Sequence, residues 1–392
     1  MLSPDELIHY QRHVSLPEIG LEGQEKLKQG SVLVIGSGGL GCPALQYLTA
    51  AGVGRIGVVD FDVVEASNLQ RQTLFGYEDL GRPKAEAAAE RLNDLNPHVE
   101  ITSFLERFSV ENALSLLEDY DVVLDGSDNF PTRYLVNDAC VMAGKPLSFG
   151  SIFKFEGQVT VFNLDDGPTY RCLFPECPNP KDVPNCAEIG VFGALPGIIG
   201  SMQAVEVIKI LTGVGEPLSG KLLVFDALSM RSQLISFSPD PANQTIEKLE
   251  EIQFECEVPE EKETSSGPSD DLDEDPGTEE DSLKPAISPA ELRVLLDGDS
   301  ALQLIDVREE WEAKICSLEG STLIPLGELR RGYALPPALD SEAPSVVYCK
   351  AGVRGEEARG LLGEKFGFTQ VSNLEGGILA WAGAMDPSMR RY

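Results

Sequence analysis

Two groups of reactive side chains stand out in this sequence. The first is Cys349-Lys350-Ala351-Gly352-Val353-Arg354, a cysteine that follows the apolar run Ser345-Val346-Val347-Tyr348 and precedes a helical stretch. Peptide N–H groups in such a loop, together with the positive end of the helix, converge on the sulfur and stabilise an anion carried on it. Phosphate-ester hydrolysis through a phosphocysteine and sulfur transfer through a persulfide both use this arrangement. Phosphatase loops put five residues between Cys and Arg to embrace a tetrahedral phosphate. Here four residues intervene, and the tighter loop favours the persulfide.

The second group surrounds the turn Gly36-Ser37-Gly38-Gly39-Leu40-Gly41. Its glycines let the backbone bend sharply and approach a phosphate, and the helix that follows offers free N–H groups. About twenty residues on, a second apolar run ends in Asp60, placed to accept hydrogen bonds from ribose hydroxyls. Alone, this fingerprint suggests a dinucleotide. Arg12, Arg71 and Lys84 supply three cations and Asp128 a further carboxylate, a set that suits a triphosphate with magnesium better than NAD or FAD.

The elements that position these groups follow from the hydrophobic pattern. Apolar runs at 31–35, 55–59, 99–104 and 121–125 alternate with helical stretches at 42–51, 84–93, 110–117 and 132–143, and the runs lack period-two polarity. This predicts an α/β fold, a Rossmann-like, mostly parallel sheet covered by helices on both faces. Gly39, Asp60 and Asp128, each just past a strand, should then converge at the carboxyl edge of the sheet. An amphipathic helix is expected over 5–14, a strand over 157–163, a long helix over 194–212 and a closing strand over 221–226. Gly215-Glu216-Pro217-Leu218-Ser219-Gly220-Lys221-Leu222 mimics a P-loop, but Leu222 stands where Ser or Thr would hold magnesium, and helix precedes strand. We read it as a turn. A second, small α/β domain over 285–392 has expected strands at 302–305, 345–348 and 369–371 and helices at 289–296, 355–366 and 377–382.

A chain of this length accommodates two domains, here 1–250 and 285–392, joined by 255–284. That joint carries thirteen acidic and two basic side chains and is nearly free of aromatics, so its composition reads as a flexible acidic linker. The whole chain has a net charge of -33, which argues against nucleic acid and anionic membranes as partners. The linker contributes only -11 of it, and we read the remainder as an adaptation to a salty cytoplasm. No stretch approaches a membrane span and the first residues lack the basic start of a secretory signal, so a cytoplasmic protein is expected. Eight irregularly spaced cysteines point to reduced thiols rather than a disulfide framework.

The glycine turn, Asp60-Phe61-Asp62, Ser67-Asn68-Leu69-Gln70-Arg71-Gln72, Lys84 and Ser127-Asp128-Asn129 together resemble the MoeB/ThiF adenylyltransferases, relatives of ubiquitin-activating enzymes, over residues 1–240. The resemblance implies that ATP adenylates the C-terminal glycine of a ubiquitin-like sulfur carrier. It implies that Gly36, Gly38, Gly39, Gly41, Asp60, Ser67, Asn68, Leu69, Gln70, Arg71, Lys84, Asp128 and Asn129 hold the nucleotide, with magnesium at Asp128. Arg12 matches an arginine that reaches the neighbouring subunit's site, which implies a homodimer. Cys186 matches a cysteine that acts on the acyl adenylate or in sulfur chemistry near it, and a buried structural thiol is the equal alternative. Many relatives hold zinc with two C-x-x-C pairs. Here Thr169 fills the first position, Cys172 and Cys177 are irregularly spaced and Cys256 stands alone, so zinc is not expected.

Asp306-Val307-Arg308-Glu309, the Cys349 loop and Gly376-Gly377-Ile378-Leu379-Ala380-Trp381 resemble a rhodanese domain, and the domain order resembles the two-domain MoeB-rhodanese proteins. This implies a sulfurtransferase in which a Cys349 persulfide converts the activated carrier to a thiocarboxylate, for molybdopterin or a related sulfur-containing product. Thiosulfate or a cysteine desulfurase would supply the sulfur. Trp381 reads as core. Two rival readings are an NAD-dependent dehydrogenase, which leaves Arg71, Lys84 and Asp128 idle, and a non-catalytic carrier-binding scaffold, which does not account for an intact set of ATP residues.

Overall fold

The structure is a computed structural model that describes residues 1–178, 190–252, 284–298 and 302–392. It divides into two compact units, Met1–Glu261 and Lys262–Tyr392. Cys186, Cys256 and all of the acidic segment 255–284 except Lys284 lie outside the described residues.

In the first unit, β1 (Ser31–Ile35), β2 (Arg55–Val59), β3 (Glu100–Phe104), β4 (Val122–Asp125) and β5 (Leu147–Phe153) pair in parallel in the order β3-β2-β1-β4-β5. Then β6 (Glu156–Phe162), β7 (Lys221–Asp226) and β8 (Arg231–Ser236) extend the sheet antiparallel. Successive side chains of β1 enter two different cores, which explains the unbroken apolar runs. Val32 and Val34 pack with Leu45, Leu48, Ala88 and Leu92, whereas Leu33 and Ile35 pack with Leu117, Tyr134 and Val136. The order reverses between β1 and β4, and that crevice is where open α/β sheets bind ligands.

Four features of this unit depart from the sequence expectation. The expected helix at 5–14 is two helices, Pro4–His9 and Gln11–Val14. They break at Tyr10, whose buried ring packs on Gly52 and whose hydroxyl accepts from Asn96 Nδ2 at 2.9 Å. Strand β5 was not read as a strand, and β8, exposed along its whole length, follows the strand expected to close the domain. The helix Leu195–Thr212 is long and apolar enough to pass for a membrane span, contrary to the expectation that no stretch approaches one. It packs instead against the helix Gly41–Ala51 and strands β5 and β6, burying Leu195, Ile199, Ala204 and Val207.

The second unit holds β9 (Ala286–Ile287), β10 (Gln303–Asp306), β11 (Thr322–Leu323), β12 (Ser345–Tyr348) and β13 (Val371–Leu374) in a wholly parallel sheet of order β11-β10-β12-β13-β9. Val347 faces a core with Leu329, Ala358 and Leu362, and Val346 and Tyr348 face another with Leu292, Ile378 and Trp381. Trp381 is therefore a core residue, as expected. The six described cysteines are free thiols.

Candidate functional site

At the end of β1 the chain turns at Gly36 with φ +88°, a left-handed conformation that costs glycine little. A Cβ on Gly41 would lie 1.9 Å from the Gly36 carbonyl oxygen, so the helix Gly41–Ala51 can start here only without a side chain. Asp60, at the end of β2, braces this turn. Its Oδ2 accepts from the Ser37 N–H and hydroxyl, both at 2.8 Å, and its Oδ1 accepts from the Asp62 N–H at 2.9 Å. The expected ribose ligand is thus also a ligand of the protein's own turn.

Arg71 and Gln72 come to the same place. A Cβ on Gly39 would touch Arg71 Cδ at 3.7 Å, and one on Gly38 would touch Gln72 Nε2 at 3.6 Å. Arg71 Nη1 donates to the Ser67 carbonyl, and Asn68 Oδ1 accepts from the Glu65 N–H, which holds this segment in a tight turn. Leu69 packs on the core, and Gln70 lies against Gly193. Lys84, at the start of its helix, is nearly buried and sits 3.0 Å from Asp62 Oδ2. Past β4, Asp128 is exposed. Asn129 accepts from the Thr132 N–H at 3.0 Å and so caps the helix Phe130–Ala143.

Asp125 escaped sequence reasoning because it read as the last residue of a strand. It is fully buried: Oδ1 accepts from the Ser127 N–H at 2.9 Å and Oδ2 has no partner, and burial pushes its pKa up despite nearby Arg133. Gln203 donates to its carbonyl at 2.7 Å. Buried Gln72 Oε1 and Ser127 Oγ are also unpartnered, which fits a crevice whose polar atoms are completed by a bound ligand. Arg12 is not at this crevice. It is exposed and lines an opening of about 420 Å³ with His9, His13, Tyr47, Ser201 and Val205, which includes no residue of the turn. Cys172 Sγ accepts from the N–H groups of Thr169 and Asp240, at 3.3 and 3.2 Å.

In the second unit Cys349 follows β12 and is buried, with Sγ accepting from the Gly352 N–H at 3.1 Å. Gly352, at φ +96°, opens the helix Val353–Phe366, so the sulfur lies at that helix's positive end. Asn373 donates to the Gly352 carbonyl at 3.0 Å, and the Ile378 and Leu379 N–H groups take the carbonyls of Cys349 and Lys350 at 2.9 and 3.1 Å. A Cβ on Gly377 would lie 2.4 Å from the Cys349 oxygen, which explains the glycine pair. Arg354 is turned to Glu312, which receives both its Nη groups at 2.7 Å. Glu312 and Tyr392 were not foreseen, because they lie 37 residues before and 43 residues after Cys349 and only the fold joins them to the loop.

A glycine-rich turn at the switch point of one sheet, and a cysteine loop at a helix N-terminus on another, are the arrangement of an enzyme of nucleotide activation and sulfur transfer. The chain belongs to the ThiF family, which matches residues 10–246, and residues 288–384 match the rhodanese-like domain. It is 44% identical over 399 residues to the probable adenylyltransferase/sulfurtransferase MoeZ of Mycobacterium tuberculosis, covering 100% of this chain and 96% of that one. It is 41% identical over 414 residues to the adenylyltransferase and sulfurtransferase MOCS3 of Sus scrofa, covering 100% and 89%. A sulfur carrier protein adenylyltransferase of Thermus thermophilus is 54% identical over 242 residues, covering 60% of this chain and 89% of that one. Among solved structures, E. coli MccB shares the fold, with a TM-score of 0.54 at 21% identity, over 64% of this chain and 74% of that one. The chain is an enzyme with both adenylyltransferase and sulfurtransferase activity, and its first activity uses ATP. The dehydrogenase and scaffold readings are not favoured.

Proposed function

We propose that the first unit adenylates the C-terminal glycine of a ubiquitin-like sulfur carrier and that Cys349 of the second unit supplies the sulfur. In the first step a carboxylate oxygen of the carrier attacks the α-phosphorus of ATP, and pyrophosphate leaves. The glycine turn and the Arg71 and Lys84 cations stabilise charge on the phosphates, and Asp60 keeps the turn in shape. Magnesium, with Asp128 as an oxygen ligand, would supply further neutralisation of that charge.

Cys349 is loaded when its thiolate attacks the sulfane sulfur of thiosulfate, releasing sulfite, or the persulfide of a cysteine desulfurase, releasing its cysteine. The terminal persulfide sulfur then attacks the acyl carbon of the adenylate and AMP departs, leaving an acyl disulfide. A thiol, Cys186 or an external one, attacks the Cys349 sulfur, forms a new disulfide with it and frees the carrier thiocarboxylate. Arg12, exposed and away from its own crevice, is assigned to the site of a second copy, and the active form to a homodimer in the cytoplasm. No zinc is assigned to Cys172 and Cys177.

The observation that carries this reading is the 3.1 Å approach of the Gly352 N–H to Cys349 Sγ, a donor placed for a sulfur anion, in the chain that also holds the ATP turn. The test is the intact mass of candidate carriers after incubation with enzyme, ATP, magnesium and thiosulfate. The expected product has one oxygen replaced by sulfur. Asp128→Ala should abolish both pyrophosphate release and product, whereas Cys349→Ala should release pyrophosphate and make no thiocarboxylate. Thiocarboxylate made by Cys349→Ala at the native rate would overturn the assignment.

A further inference from the structure

One aromatic residue meets the near end of the Cys349 loop directly and its far end through Glu312, and has no part in the chemistry above. Tyr392 Oη accepts from Arg308 Nη1 at 2.7 Å and donates to Glu312 Oε1 at 3.0 Å, and Glu312 in turn binds Arg354 at the loop's far end. At the near end the Lys350 ammonium stands 4.8 Å from the centre of the Tyr392 ring. The Trp311 ring meets the Tyr392 ring edge-on, with centroids 6.0 Å apart.

We propose that Tyr392 is a positioning residue for sulfur transfer, whose ring seats the Lys350 ammonium beside Cys349 to receive an anionic sulfur donor such as thiosulfate. The inference rests on the reading that Cys349 carries the sulfur. Three observations support it. Lys350 directly follows Cys349 in the chain and is half-buried, while Cys349 itself is almost wholly covered. A lysine side chain free in solvent spreads its charge over many rotamers, whereas one held on an aromatic face offers it at a single place. The protein's net charge of -33 repels a dianion at long range, so a local cation fixed at the entrance has a large effect on encounter. The two Tyr392 hydroxyl bonds hold the ring in place from the opposite side, through the buried Arg308 and Glu312.

The experiment uses the full chain and the transfer of sulfur from thiosulfate to cyanide, with the variants Tyr392→Phe, Tyr392→Leu, Lys350→Met and Tyr392→Leu/Lys350→Met. Tyr392→Leu should raise the KM for thiosulfate about two- to five-fold, the factor equivalent to an exposed cation–π contact, with kcat little changed. Tyr392→Phe keeps the ring but loses the two hydroxyl bonds that hold it, and should raise the KM less than Tyr392→Leu does. In the Lys350→Met background the Tyr392→Leu change should raise KM no further. An unchanged KM in Tyr392→Leu, or an equal further rise on top of Lys350→Met, would overturn the proposal. A second readout does not depend on the donor: the rates at which iodoacetate and neutral iodoacetamide alkylate Cys349, followed by peptide mass. Tyr392→Leu should lower the iodoacetate-to-iodoacetamide ratio by a similar factor, and equal slowing of both reagents would mark a merely structural role. Wild-type enzyme that fails to turn over thiosulfate would remove thiosulfate as the donor, and the alkylation ratio would then decide the role of Tyr392.

Discussion

Replacing Asp306 with Asn should unfold the sulfurtransferase unit at much lower denaturant while leaving adenylation intact. Arg308 is completely buried and its guanidinium is fully engaged. Nε and Nη2 donate to the two Asp306 carboxylate oxygens at 2.9 and 2.6 Å, Nη2 also to the Cys316 carbonyl at 2.8 Å, and Nη1 to Tyr392 Oη at 2.7 Å. Burial opposes the charge on Arg308, and the Asp306 and Tyr392 contacts outweigh it, so its pKa is raised. Asp306→Asn removes the countercharge and turns an amide N–H₂ toward guanidinium donors. Breaking a buried pair in this way costs about 3–5 kcal/mol, a large part of the roughly 5–15 kcal/mol that holds a domain together. With a urea slope of about 2 kcal/mol/M, the midpoint should fall by roughly 2 M. The assay is tryptophan fluorescence in urea, because both tryptophans, Trp311 and Trp381, lie in the second unit. ATP–pyrophosphate exchange serves as the control on the first. Asp306→Leu/Arg308→Met, which removes both charges, should recover most of the loss. A midpoint shift under about 0.5 M in Asp306→Asn would refute the reasoning.

Two further outcomes are expected. Gly41→Ala must displace the Gly36 carbonyl, which would lie 1.9 Å from the new methyl, and should slow ATP–pyrophosphate exchange by about 100-fold while sulfur transfer to cyanide persists; exchange near the native rate would contradict the close approach. Glu312 has its pKa lowered from 4.5, because burial, which raises it, is outweighed by the bonds from Arg354, the Glu309 N–H and Tyr392. The folded state therefore binds this proton less tightly than the unfolded one. The stabilisation is complete above pH 4.5 and is lost as pH falls through the lowered value. Glu312→Gln should flatten the stability profile in acid, as measured by thermal melts of the second unit, and an unchanged slope would count against the pairing.

The sheet and its crevice were legible because β1, β2 and β4 are apolar on both faces and each ends in a marked residue, Gly36 after β1, Asp60 after β2 and Gly126 after β4. β5 was not, because Gly150 and the serines at 148 and 151 dilute its apolar signal. Gly150 is required there because a Cβ would lie 2.4 Å from the Gln203 side chain, a contact between residues 53 apart. β8 is exposed throughout and carries no burial pattern to read. At the sites, contiguous motifs were readable and long-range partners were not. Asp306-Val307-Arg308 and the Cys349 loop are local in sequence, but the Glu312–Arg354 and Arg308–Tyr392 bonds exist only once β10 and β12 pair. Asn129 was legible as part of a motif, and its cap on the helix Phe130–Ala143 is a second role that the motif alone does not announce.

The row Asp306, Arg308, Glu312, Arg354 alternates in sign along the flank of the cysteine loop and sums to zero. Seen from the sulfur, neighbouring charges at contact distance act as paired dipoles whose field falls off faster than that of a bare ion. Mobile counterions have little to neutralise there. On the proposed reading, a persulfide at Cys349 would then be held chiefly by the Gly352 N–H and the helix end, which ions in solution do not displace, with Lys350 acting on the incoming donor rather than in the chemical step. The chemical step at Cys349 should therefore be insensitive to ionic strength, even though the charge on the rest of the surface makes the approach of any anion depend on it.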